Sequence, residues 1–87
     1  MMEEEIGIVT HYFSKISVAV IEITAGSLKV GDTIHIKGHT SDFSQPVDSL
    51  QQEHQSIPQA GKGSSVGLKV KQPVHDHDRV FKVKEEV

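Results

Sequence analysis

Apolar residues recur at every second position in several short runs, and turn-forming residues separate the runs. Gly7, Gly26, Gly31, Gly38, Pro46, Pro58, Gly61, Gly63, Gly67 and Pro73 cut the chain into pieces mostly too short for helices. Val and Ile dominate within the pieces, which predicts short strands at regular spacing and an all-β sandwich or barrel. Six strands are expected, at about Ile6–Tyr12, Lys15–Thr24, Thr33–Lys37, Val47–Gln52, Ser65–Lys71 and Arg79–Lys84. The third should bury Ile34 and Ile36 and the fifth Val66, Leu68 and Val70, since alternate side chains share a face. In the second, Ile16, Val18 and Val20 share one face and Ile21 and Ile23 the other. That slip predicts a bulge near Val20-Ile21 or a strand covered on both sides. The segment 38–45 is read as a polar loop holding Phe43, and 53–63 as a loop anchored by Ile57.

Composition bounds the rest. The chain has 87 residues, 36 % of them apolar and 24 % charged, with no Cys. One small domain over residues 1–87 is expected, its core at about 6–84 and its ends, 1–5 and 85–87, frayed. Disulfide and thiolate chemistry is excluded. No apolar run approaches the ~18 residues of a membrane span, so no membrane partner is expected. The acidic start, Met1-Met2-Glu3-Glu4-Glu5, lacks the basic-then-apolar order of a secretory signal, and a cytoplasmic location is expected. Nine basic residues, one of them Arg79, face twelve acidic ones for a net charge of −3. A chain that grips nucleic acid by charge alone is normally basic. Six His could reverse the sign of the net charge below their ordinary pKa of about 6.5.

Three motifs bear on chemistry. Gly63-Ser64-Ser65-Val66-Gly67 fits G-x-S-x-G, but Ser65 opens a strand with no helix behind it, so it is no nucleophile elbow. Gly61-Lys62-Gly63-Ser64 lacks the Gly a P-loop needs at position 56 and the hydroxyl it needs after Lys; no nucleotide is expected. His75-Asp76-His77-Asp78, if extended, puts its two imidazoles on one face, yet a closed metal site needs about four ligands. The expectation is therefore no metal, no cofactor and no catalytic residues. Outward Lys37, Lys69 and Lys71, with Lys82 and Lys84, could form a basic stripe that contacts phosphates or simply discourages edge-to-edge association.

The stretch Ile23-Thr24-Ala25-Gly26-Ser27-Leu28-Lys29-Val30-Gly31-Asp32-Thr33-Ile34-His35-Ile36-Lys37-Gly38 resembles the second domain of translational GTPases such as elongation factor Tu. Ala60-Gly61-Lys62-Gly63-Ser64-Ser65-Val66-Gly67-Leu68 is similar to a later segment of the same domain. Ile6-Gly7-Ile8-Val9-Thr10-His11-Tyr12, Asp42-Phe43-Ser44-Gln45-Pro46-Val47 and Val70-Lys71-Gln72-Pro73-Val74 look equally like the barrel appended to collagenase-like peptidases, which is not their catalytic part. Both resemblances imply a small six-stranded closed or nearly closed β-barrel of Greek-key type; the turn residues then suggest that Val30 plugs one end while Gly31 reverses the chain. The first implies a non-enzymatic module that docks on tRNA, ribosomal RNA or a ribonucleoprotein; the expected RNA contacts are Lys37, His39, Lys62, Lys69 and Lys71. GTP hydrolysis is not implied, because the GTPase domain is absent. The second implies a protein-interaction module beside a larger catalytic subunit.

Overall fold

The structure, a computed structural model, describes residues 2–84. Ten strands form in order: β1 (Met2–Phe13), β2 (Val18–Ile23), β3 (Ser27–Lys29), β4 (Thr33–Lys37), β5 (Asp42–Pro46), β6 (Leu50–Gln52), β7 (Gln55–Ile57), β8 (Gln59–Gly61), β9 (Ser65–Lys69) and β10 (Arg79–Lys84). There is no helix among the described residues. Eight strands make one sheet, ordered β5-β4-β10-β1-β2-β9-β6-β7, while β3 and β8 pair separately. The expected all-β class is found, but the expected six-stranded closed barrel is corrected. The ladder is open, and β5 and β7 are its edges.

The strand count rises because two predicted loops pair. Phe43 and Gln45 alternate inward along β5, and Asp42–Pro46 zips against β4 in place of the expected polar loop. The segment after Leu50 folds back as the β6–β7 hairpin, with Ile57 packed on the core. At the start of the chain, Met2–Glu5 pair with β10 rather than fray. Residue 1 and residues 85–87 lie outside the described residues.

The inward residues form one buried cluster. Ile6 and Val9 of β1, Ala19, Ile21 and Ile23 of β2, Ile34 and Ile36 of β4, Val66 and Leu68 of β9, and Val80 of β10 meet there with Leu28, Phe43 and Val47. The alternation read for β4 and β9 is found. The bulge expected in β2 is not. β2 pairs with β9 in unbroken register, and β1 carries the irregularities, between Glu5 and Gly7 and between Val9 and His11. Gly7 sits where a Cβ would lie 2.6 Å from the Glu22 carbonyl oxygen, so only glycine allows the strands this close.

A side chain bridges the open edge. Gln45, 3 % exposed on edge strand β5, donates its amide to Lys69 O at 2.9 Å and accepts from Lys71 N–H at 2.8 Å. β5 and β9 stand five places apart in the ladder, so the sheet curls until they meet. One amide then takes the place of a backbone rung, donating and accepting as a peptide group does.

The Lys29-Val30-Gly31-Asp32 turn is built by its aspartate. Asp32 N–H donates to Lys29 O at 3.1 Å and Gly31 takes φ 99°, the left-handed third position of a tight turn. The Asp32 carboxylate accepts from Lys29 N–H at 3.0 Å and from the Lys82 ammonium at 3.3 Å. Lys82 is thereby withdrawn from the expected outward stripe, and Lys84 pairs with Glu4. The plug is also corrected: Val30 is 44 % exposed, whereas Leu28 is fully buried. β3 alternates, and its pairing with β8 turns Leu28 inward.

Two stability outcomes follow. Gln45→Leu should lower the urea-unfolding free energy by about 2–3 kcal/mol, since it strands a buried carbonyl and N–H. Leu28→Ala should cost about 2–5 kcal/mol and Val30→Ala at most about 0.5 kcal/mol; equal costs would restore Val30 as the plug.

Candidate interaction site

The outer face of the central strands is apolar where a half-covered sheet would be polar. With Ala19, Ile21 and Ile23 turned inward, β2 presents Val18, Val20 and Glu22 outward. The register sets Val18 beside Phe13 and Lys69, Val20 beside His11 and Gly67, and Glu22 beside Ile8 and Ser65. Phe13 is 46 % exposed and Ile16, in the β1–β2 turn, is 58 % exposed. The His11 and Phe13 rings meet edge-on with centroids 4.3 Å apart.

Phe13, Ile16, Val18 and Val20 line a groove of about 450 Å³, closed on its far side by Gln51–His54 of the β6–β7 hairpin. The floor is low at Gly67, where a Cβ would stand 3.3 Å from Val18 Cγ1. β6 joins β9 through a single paired position, Gln51 with Gly67, so the hairpin wall is lightly attached. Its tip is strained: Glu53 and His54 take φ 52° and 64°, the mirror-image turn that Asn-Gly makes at low cost. Ser17, beside Ile16, has φ 56°. Strained backbone gathered around an exposed apolar groove is common where a surface is shaped for recognition. Lys69 stands at one end of the floor and Glu22 at the other. The groove can therefore take an apolar segment and orient it by charge.

Sequence reasoning did not single out Phe13, Val18, Val20 or Gly67 as a site. The signal was present in β2, whose apolar residues occupy both faces, and was read as a bulge or a strand covered on both sides, not as an exposed surface.

The expected RNA contacts divide. Lys37 closes β4 and Lys69 closes β9, strands that run in the same direction, so both point to one end of the fold. His39 follows Lys37 in the turn to β5, and Lys71 lies two residues beyond Lys69. Lys62 sits in the turn that precedes β9, at the opposite end. All five side chains are exposed. Asp42 pairs in register with Lys37 and puts a carboxylate among the cations.

The His75–Asp78 cluster is a turn, not an extended pair of faces. Asp78 N–H donates to His75 O at 3.1 Å, the buried Asp78 carboxylate accepts from His75 N–H at 2.9 Å, and His77 takes φ 74°. His77 N–H donates to Val9 O and Val9 N–H to Asp78 O, which ties the turn to β1. Asp78 also explains Gly38, since a Cβ there would collide with its carboxylate. No group of three or more His, Asp or Glu among the described residues is placed to hold a metal.

His35 holds the other notable cluster. Its Nδ1 lies 2.9 Å from Glu3 Oε2 and its Nε2 2.5 Å from Asp42 Oδ1. Three strands contribute these groups, β1, β4 and β5, and Phe81 of β10 lies against the ring with centroids 6.2 Å apart. The hydrogen bond to Asp42 raises the His35 pKa above its ordinary value; partial burial opposes this and Glu3 adds to it. The same bond holds the Asp42 carboxyl below the usual range, with Lys37 acting in the same sense.

No family model matches the chain. Over 84 residues, 95 % of this chain, it is 42 % identical to an uncharacterized protease of Methanocaldococcus jannaschii, of which it covers 20 %. It is 36 % identical over 72 residues to a collagenase of Porphyromonas gingivalis, covering 82 % of this chain and 20 % of that protein. The chain thus spans about a fifth of the length of the curated relatives it matches. Among solved structures, the C-terminal domain of a candidate U32 peptidase from Geobacillus thermoleovorans superposes with a TM-score of 0.86 at 21 % identity, over 93 % of each chain. A selenomethionine variant of that domain gives 0.83. The chain is therefore similar to the C-terminal domain of collagenase-like peptidases and shares its fold. The likeness to the second domain of elongation factor Tu is not shown by these relatives and structures.

Proposed function

We propose that the chain is a non-catalytic interaction module that docks against a larger catalytic polypeptide of the collagenase-like class, with the Phe13–Ile16–Val18–Val20 groove as the docking face. The observation that carries this reading is the proportion of the match. Relatives named as a protease and a collagenase contain the matching segment as about a fifth of a longer protein. The groove supplies what such a contact needs: an exposed aromatic anchor and aliphatic neighbours for the centre, with polar Gln51 and Gln52 on the wall.

A photocrosslinking residue in place of Lys15, next in sequence to the groove residue Ile16, should yield in the producing cell an adduct with a peptidase-like polypeptide, identified by mass spectrometry. Against that purified partner, Phe13→Ser should weaken binding at least about tenfold while leaving the melting temperature within a few degrees. Adducts with RNA alone, or no adduct, would overturn the reading.

A second reading has one observation in its favour: Lys37, His39, Lys69 and Lys71 collect at one end of the fold. Cations so gathered could contact the phosphates of structured RNA. In that case, filter binding to tRNA weakens steeply with added salt, and Lys69→Ala with Lys71→Ala shallows the salt slope by roughly two. Binding that ignores salt, or that Lys62→Ala alone removes, would discard it.

A further inference from the structure

His35 is in an arrangement that only one protonation state satisfies. Glu3 faces Nδ1 and Asp42 faces Nε2, both at hydrogen-bond distance. A neutral imidazole carries one N–H, so one of its nitrogens would then turn a lone pair toward a carboxylate. The imidazolium donates to both. The ring is 17 % exposed, so water competes only in part for these bonds.

The two carboxylates belong to segments whose backbone has a sheet partner on one side only. Asp42 begins edge strand β5, which has a backbone partner on one side only, β4. Glu3 lies in the first residues of β1, which pair with β10; β2 reaches β1 only from Gly7 onward. His35 sits on β4 between them, across β10.

We propose that His35 is a proton-operated latch that fastens the first residues of β1 and edge strand β5 to β4, closed while the ring is doubly protonated and loosened when it loses one proton. The charged groups facing the ring are Glu3 from β1 and Asp42 from β5. Lys37, on the same strand as His35, acts on Asp42. β10 brings the Phe81 ring, and its Arg79 is engaged by Glu5 at 3.3 Å.

The direction of the pH effect follows from the folded chain holding the proton more tightly than the unfolded one. The latch contributes fully below the unfolded His pKa of about 6.5. Its contribution is lost as pH rises through the higher folded value. The fold itself persists, because the core and Gln45 do not depend on the proton. The loosened part is the start of β5, ahead of the Gln45 anchor, an edge that another chain's strand can pair with.

Long-range ¹H–¹⁵N spectra of the imidazole nitrogens, recorded across pH with amide hydrogen exchange, test this. His35 should titrate above 6.5, with both nitrogens protonated on the acid side of that titration. Protection factors, corrected for intrinsic exchange, should fall roughly two- to fivefold at Glu3–Glu5 and Asp42–Gln45 across that titration. Ala19 and Ile21, in the β2 ladder, should not respond. Glu3→Gln and Asp42→Asn should each lower the His35 pKa, and His35→Gln should flatten the local pH dependence. A wild-type His35 titrating at or below 6.5, a single protonated nitrogen on the acid side of its titration, or a pH profile retained in His35→Gln would overturn the latch. Should His35→Gln fail to fold, the wild-type titration and the two carboxylate variants decide.

Discussion

The curled shape of this sheet depends on Gln45. Its strands form an open ladder with β5 and β7 at the edges, and an open sheet of eight short strands could lie much flatter. The Gln45 amide joins β5 to Lys69 and Lys71 across the gap and is satisfied at both ends. An apolar residue there would leave a buried carbonyl and a buried N–H without partners. The curl in turn lets both faces of β2 be used, with Ala19, Ile21 and Ile23 facing the core and Val18 and Val20 forming the floor of the groove.

Carboxylates serve this fold mainly as carpentry. Asp32 holds the turn that places Leu28 in the core and also ties down Lys82. Asp78 folds the His75–Asp78 segment into a turn and explains why Gly38 cannot carry a side chain. The dense His-Asp cluster that suggested metal chemistry has its second aspartate engaged with backbone. Glu3 and Asp42, on opposite sides of His35, are the pair whose interaction depends on a proton.

The similarity to peptidase C-terminal domains gives the exposed groove a context. A segment that makes up about a fifth of larger relatives has a neighbour in those proteins, and apolar surface beside a strained hairpin suits such a neighbour. The same surface would be costly on an unaccompanied module, since contiguous exposed apolar area invites association.

Alternation of Val and Ile with polar residues determined the all-β class and the inward faces of β4 and β9, because period-two burial is a local property of the chain. The glycine of the Lys29–Asp32 turn was legible for the same reason. Tertiary structure alone decided the rest. Gln45 reads as a loop residue until β5 meets β9. Val18 and Val20 read as part of a bulge or of a doubly covered strand until β1 takes the irregularity. Leu28 rather than Val30 enters the core once β8 pairs with β3. His35 gains its two carboxylates from residues 32 positions before it and seven after it. Each of these outcomes hangs on partners distant along the chain, and a pattern of neighbours in sequence carries no record of which strand will lie opposite which.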